Sequence, residues 1–443
     1  MINYYFHNDP SKLPDYSEGC HPVQLYKTHD YDKTKHSKAS RSLLEKVRKL
    51  GVPIDADAID LVTIASAVTA ADSFELRQNA ADAWSRQMHL HIPVKDENLW
   101  TLLSDKLVSL LNFLTGDQWK FTFFQSTMEL PKPINSNNAK KTCNSLKGLN
   151  SVCLFSGGLD SAVGAIDILN AKSKYMPLLV SHTYKGDGAK QRAIKSLLKS
   201  DFAELSYSIY PSLMEPLKGK TDISMRGRSF NFLAMAVLGI IALRNANDDS
   251  NIDTIIVPEN GYISINPPLT RRRIGSHSTR TTHPFFLNKL EDLLKDAGFH
   301  VKFVNPYQFK TKGEMLAECK DQVAIAKAIP LSVSCSHWHR RNIQCGYCVP
   351  CLIRRASVHH ANFKKDAPYE NQNLKPVIKE YKKRDDIQSV QAAIIRLNKS
   401  KDYRGWLRQS GNLPSDPITR EKLESTIERG LAEVESFLKA ATV

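Results

Sequence analysis

The stretch Cys153-Leu154-Phe155-Ser156-Gly157-Gly158-Leu159-Asp160-Ser161-Ala162 decides how the rest of the chain is read. Residues 151–155 are short and apolar, as a buried strand should be, and residues 162–170 carry a helical pattern. Between them Gly157 and Gly158 let the backbone turn tightly and approach an anion with no Cβ in the way. The free amides that open the following helix would face a phosphate, aided by the helix dipole. Ser156 and Ser161 add hydroxyl donors. The candidate phosphate-binding residues are therefore Ser156, Gly157, Gly158, Leu159, Asp160 and Ser161. A carboxylate cannot receive a phosphate directly, so Asp160 orders the loop or helps to hold a magnesium ion. No Gly-Lys-Ser/Thr follows, which excludes a Walker loop.

Downstream, apolar strands at 177–182, 205–210 and 254–258 alternate with helical patterns at 191–199 and 230–243. This alternation predicts an α/β fold, a parallel doubly wound sheet covered on both faces, over residues 149–365. Upstream, residues 1–130 predict an α+β domain: strands at 1–7, 89–94 and 119–124, and helices at 43–50, 56–70 and 99–114. Much of the polar first forty residues reads as loop. Residues 131–148, rich in Pro, Ser, Asn and Lys, read as a linker. Residues 366–443 form a charged helical extension, clearest at 387–397 and 419–438.

Sixty-one Lys and Arg against 46 Asp and Glu give a net charge of +15, which favours nucleotides, nucleic acid or an acidic protein as partners. The N-terminus has no signal-peptide pattern, and the longest apolar run, 230–243, is too short for a bilayer. The expectation is a cytoplasmic protein with no membrane partner. Eight cysteines without a secretory signal argue against a disulfide framework. Four of them, Cys335, Cys345, Cys348 and Cys351, cluster at the tight spacing of a closed, structural zinc site; an iron–sulfur centre also suits them. His337 and His339 lie in the same loop and are read as surface or substrate-facing residues, since four sulfurs satisfy the metal.

Ser-Gly-Gly-x-Asp-Ser resembles the signature of the PP-loop ATP pyrophosphatases, which cleave ATP between its α and β phosphates. Paired with the cysteine spacing, the region 149–362 resembles the 7-cyano-7-deazaguanine synthases (QueC). Arg226-Gly227-Arg228-Ser229-Phe230-Asn231-Phe232-Leu233 is similar to the family's Pro-Gly-Arg-Asn-x-x-Phe-Leu, with Ser229 in place of Asn. Thr311-Lys312-Gly313-Glu314-Met315 is similar to its Lys-x-Glu element. The resemblance implies ATP, Mg2+ and Zn2+ as cofactors and Asp160, Arg228 and Lys312 as catalytic residues, with Arg228 near the phosphates. It further implies a ligase that joins C–N bonds, turning ATP into AMP and pyrophosphate while activating a deazaguanine-like carboxylate.

About 150 residues precede this domain and about 80 follow it. The segment 60–72, with Trp84-Ser85-Arg86, Leu114-Thr115-Gly116-Asp117 and Trp119, resembles QueC-like proteins of the Qat anti-phage defence systems. That setting implies other proteins of the same operon as partners. A non-catalytic nucleotide-binding subunit and a tRNA-modifying PP-loop enzyme stay open as alternatives.

Substrate residues should lie in loops beyond the strand ends. Pro258-Glu259-Asn260-Gly261 offers Glu259 to a guanine-like edge, and Arg280, His277 and His283 could hold a carboxylate or acyl phosphate. The triplet Arg271-Arg272-Arg273 suits a solvated loop as well as a phosphate or a partner.

Overall fold

The computed structural model describes residues 1–26, 31–170, 173–183, 188–198, 202–219, 221–222, 226–269, 280–338 and 343–441. Among the described residues, ten strands form two five-stranded sheets, and every pairing in both is parallel.

The first sheet contains β1 (Ile2–His7), β2 (Cys20–Leu25), β3 (Ser37–Ala39), β4 (Gln87–Val94) and β5 (Gln118–Gln125), in the order β3-β2-β1-β4-β5. Along β4, Met88, Leu90 and Ile92 are fully buried while His89 and His91 point to the other face. Along β5, Trp119, Phe121 and Phe123 are buried, and Lys120 and Thr122 are exposed. This all-parallel sheet corrects the α+β expectation for residues 1–130. The strands that the sequence pattern missed, β2 and β3, lie in the polar first forty residues, where backbone pairing of β2 to β1 and of β3 to β2 outweighs weak apolar patterning.

The second sheet contains β6 (Ser151–Leu154), β7 (Pro177–His182), β8 (Glu204–Tyr207), β9 (Thr254–Ile256) and β10 (Lys302–Val304), in the order β10-β9-β6-β7-β8. All residues of β6 and β7 are buried, as the centre of a sheet covered on both faces requires. The edge strand β10 is three residues long and carries an exposed Lys302, so no periodicity marked it.

Two long helices lie between the sheets. Ala56–Phe74 packs on the first sheet, Arg228–Asn247 on the second, and the two helices pack on each other. Helices apolar on all sides need cover on all sides, and these have it. Gly239 fits the Arg228–Asn247 helix closely to its sheet: a Cβ there would lie 3.2 Å from Val152 and 3.4 Å from Leu178 and Val180 side-chain atoms. One apolar core therefore runs from Tyr4, Phe6 and Leu90 through Leu61 and Phe230 to Val152 and Ile255.

At 20 residues, Arg228–Asn247 outruns the expected segment. By length and composition alone it is long enough and apolar enough to cross a membrane, but 78% of its apolar window is buried inside the fold. The expected linker also differs, since Ser136 caps a helix, Asn137–Leu146, that buries Ala139 and Leu146. After residue 365 the chain is helical, with Asp385–Ser400 and Pro417–Ala440 the longest elements. These helices pack around the cysteine cluster in a second core.

Candidate functional site

At the end of β6 the chain enters the glycine loop, and Gly157 adopts φ +78°. A Cβ there would sit 2.6 Å from Gln191 Cγ, so both conformation and space demand glycine. Gln191 staples the loop from outside, its Nε2 donating to the carbonyls of Ser156 and His182, each at 3.0 Å. Inside the loop the serines fold the backbone on itself: Ser161 Oγ donates to Gly158 O at 3.0 Å, and Gly158 N donates to Ser156 Oγ at 3.2 Å. Gly158 is the N-cap of the helix Leu159–Leu169, and no side chain caps the opening amides of that helix.

A cavity of about 490 Å³ opens over the loop, lined among others by Ser156, Gly157, Gly158, Lys190, Arg228 and Trp338. This volume suits a nucleotide-sized ligand. Arg228 opens the buried Arg228–Asn247 helix and lines the same cavity as the loop. Nearby His182 is pushed down to about 3 by burial and by the Arg228 charge, so it is neutral at physiological pH.

A second cavity, about 280 Å³, lies beyond Pro258 and Glu259 and is lined by Leu159, Asp160, Ser161 and Lys312 as well. Here the structure brings Asp160, Lys312 and Glu259 together. Asp160 is almost fully buried; it accepts from Lys312 Nζ at 2.9 Å and from Asn260 Nδ2 at 2.8 Å. Burial opposes its ionisation, but the Lys312 ammonium and hydrogen bonds from Glu259, Lys312 and Asn260 outweigh this and hold the carboxyl below its usual value. Glu259 borders both cavities and is half-buried. Burial, the hydrogen bond to Asp160 and the Asp160 charge push it well above the ordinary carboxyl range. The shift favours a proton on Glu259 beside the Asp160 carboxylate, whereas the role expected for it at a guanine edge calls for a charged acceptor.

Lys312 owes its position to a capping box, in which Thr311 and Glu314 bond each other's backbone at the start of the helix Lys312–Ala317. The C-terminal helix supports this turn. Its buried Glu433 accepts from Thr311 Oγ1 and from Gly313 N, the latter at 3.2 Å, and Arg429 pairs with Glu314.

Two expected substrate residues are turned elsewhere. Arg280 donates to Phe113 O at 2.8 Å and stacks 4.5 Å over the Phe113 ring, which anchors it to the N-terminal region. His283 is fully buried and caps the helix Pro284–Asp296, its Nδ1 accepting from Phe285 N at 3.2 Å. Thr281 and Thr282, between them, do line the larger cavity. His277, Arg271, Arg272, Arg273 and His339 lie outside the described residues.

The four cysteines converge and are all buried. Cys335 and Cys348 sulfurs lie 3.9 Å apart, as do those of Cys345 and Cys351. Backbone amides of His337, Cys345 and Cys348 point at sulfurs from 3.3 Å, which stabilises thiolates. The turn depends on Gly346 at φ +89°, where a Cβ would meet Asn371 O at 2.6 Å. The structure also adds a donor that the sequence reading set aside: a His337 ring nitrogen lies within 4.8 Å of the sulfurs of Cys335, Cys345 and Cys348. The cluster can hold a metal ion. Cys335 and Trp338 line the larger cavity too, so the metal centre forms part of its wall.

Sequence reasoning missed Gln191, Asn260, Lys190 and Trp338. Only Asn260 had a signal, its place beside Glu259 in a loop beyond a strand end.

The molecule is thus an α/β protein with two parallel sheets and a Cys/His cluster able to bind metal. Comparison with protein-family models, with curated proteins and with solved structures gives no match to the chain.

Proposed function

We propose that this chain is a QueC-like PP-loop enzyme of a Qat-type anti-phage defence system. It binds ATP and activates a 7-deazaguanine-type carboxylate as an acyl adenylate, releasing pyrophosphate. The observation that carries the reading is the convergence of the Ser-Gly-Gly-x-Asp-Ser loop and Arg228 on one nucleotide-sized cavity walled by the cysteine cluster.

In this reading the loop amides and Arg228 hold the ATP phosphates, and a substrate carboxylate oxygen attacks the α-phosphorus. The new P–O bond forms as the bond to pyrophosphate breaks, and Arg228 and Lys190 neutralise charge on the leaving group. Ammonia, or an amine of a partner protein, then displaces AMP. Asp160 is fully engaged by Lys312 and Asn260, so magnesium would arrive on the phosphates and supply charge neutralisation there. Zinc fits the cysteines: tetrahedral Zn–S bonds of about 2.3 Å set ligand sulfurs about 3.8 Å apart, against the 3.9 Å of the two pairs. Convergence on one point favours a single ion over an iron–sulfur cluster, which spreads its cysteines over separate irons.

One observation favours a second reading, a nucleotide-binding subunit without turnover. Asp160 and Lys312 neutralise each other and leave neither free to act on a substrate. Incubation of the chain with ATP, magnesium and 7-carboxy-7-deazaguanine distinguishes the two. Catalysis predicts AMP and pyrophosphate in equal amounts and their loss in Arg228→Ala. ATP binding with no pyrophosphate release would leave the subunit reading.

A further inference from the structure

The Arg228–Asn247 helix begins without a side-chain cap, because its N-cap residue is Gly227. The acceptor that this end lacks comes from 155 residues away: Asp72 Oδ2, in the Ala56–Phe74 helix, accepts from Gly227 N at 2.8 Å. The approach is close, since a Cβ on Gly227 would lie 3.3 Å from Val68 Cγ1 and 3.4 Å from Asp72 Oδ2.

Asp72 is itself held by a buried charge network. Arg86 Nη2 donates to Asp72 Oδ1 at 2.5 Å and to Asp117 Oδ2 at 2.7 Å, and Arg77 forks onto both oxygens of Asp117 at 2.9 and 2.8 Å. Two carboxylates face the guanidiniums of Arg86 and Arg77, with the Arg226 guanidinium close by, and Arg86 further donates to the carbonyls of Asp72 and Glu75. Such a network is costly to bury and fixes its members in one geometry. The preceding chain is pinned by the same domain. Asp222 N donates to Ser73 O at 2.9 Å, Arg226 lies 4.4 Å over the Trp84 ring, and Ser212 bridges Lys38 on β3.

We infer that Asp72 is a positioning residue for the candidate nucleotide site, and that the N-terminal sheet domain serves to set the 226–228 turn so that Arg228 lines the same cavity as the loop. This rests on the reading of the larger cavity as an ATP site.

The test is titration of the full chain with ATP and magnesium, alongside hydrogen exchange of the peptide spanning 226–233. Asp72→Ala should weaken ATP about ten-fold or more and raise exchange in that peptide. Asp72→Asn keeps an oxygen for the Gly227 amide but sets its amide nitrogen against Arg86, so it should restore only part of both, and more than Asp72→Ala leaves. Gly227→Ala moves the turn without touching a charge and should follow Asp72→Ala. Asp60→Ala is the control for general destabilisation. Asp60 lies in the same helix, but its carboxylate serves the amides of Lys95 and Asp96, so this variant should melt earlier and bind ATP as before. Equal ATP affinity in wild type, Asp72→Ala and Gly227→Ala would overturn the inference, as would equal weakening by Asp60→Ala. A wild-type chain that binds no ATP would overturn the nucleotide reading instead; unchanged exchange at 226–233 in Asp72→Ala would still sink the positioning role.

Discussion

Asp160 and Glu259 illustrate what single residues contribute. Alone, each is a carboxyl group on a loop; together, beside Lys312, their proton affinities are driven apart, Asp160 down and Glu259 up. The two shifts act on stability in opposite directions. Asp160, held low, stabilises the fold above the usual carboxylate pKa, and that contribution is lost as pH falls through its lowered value. Glu259, held high, stabilises the fold below its usual 4.5, and that contribution is lost as pH rises through its raised value. Glu259→Gln replaces the acid with a neutral donor. Melting temperature followed from acid to alkaline pH should therefore keep its acid decline and lose the alkaline decline due to Glu259; a profile parallel to wild type would refute the upward shift. The loop itself was legible in the sequence, because Gly157 obeys a local backbone constraint. The upward shift of Glu259 was not, since it depends on a carboxylate about a hundred positions away.

At the scale of elements, periodic segments were legible and edge segments were not. β7 came out with its expected bounds, because every residue of Pro177–His182 is apolar or buried. β3 and β10, three residues each, are set by their neighbours' backbones and leave no pattern to read. The cysteine knuckle is an element of another kind, a cluster able to hold a metal and set within the second apolar core. Cys348 is the N-cap of the helix Val349–His360, whose Arg354 is fully buried and bonded to Ile329 O, Ser332 O and Asp366. Purified chain should carry about one zinc. Chelation, or Cys345→Ser, should cost on the order of several kcal/mol and release the helix Val349–His360. Metal analysis with hydrogen exchange checks this, and an unchanged melting temperature after complete metal removal would contradict it.

At the scale of the molecule, the sequence announced two domains joined by a linker, and the structure joins their sheets through one core. The linker reading followed composition, yet Leu146 of that segment is buried in the same core. Periodicity reports which face of a helix is apolar and is silent about which sheet will cover it. Full-length chain should therefore melt in one transition, with the fluorescence of buried Trp100 and Trp119 lost together with the second sheet's helical signal. A fragment beginning at residue 149 strips the cover from the Arg228–Asn247 helix and should aggregate. A soluble fragment with a cooperative transition would show instead that the second sheet folds alone.

The helix pair at the centre also bears on inheritance. A domain joined by a flexible tether can be exchanged between genes with little adjustment, because no surface has to match. Here the Ala56–Phe74 helix meets the start of its neighbour through Val68 and Asp72, which close on Gly227 and are shaped to one partner. The N-terminal region and the region that carries the loop should therefore have varied together, with changes at positions 68 and 72 answered by changes at 227, rather than having been shuffled as separate parts.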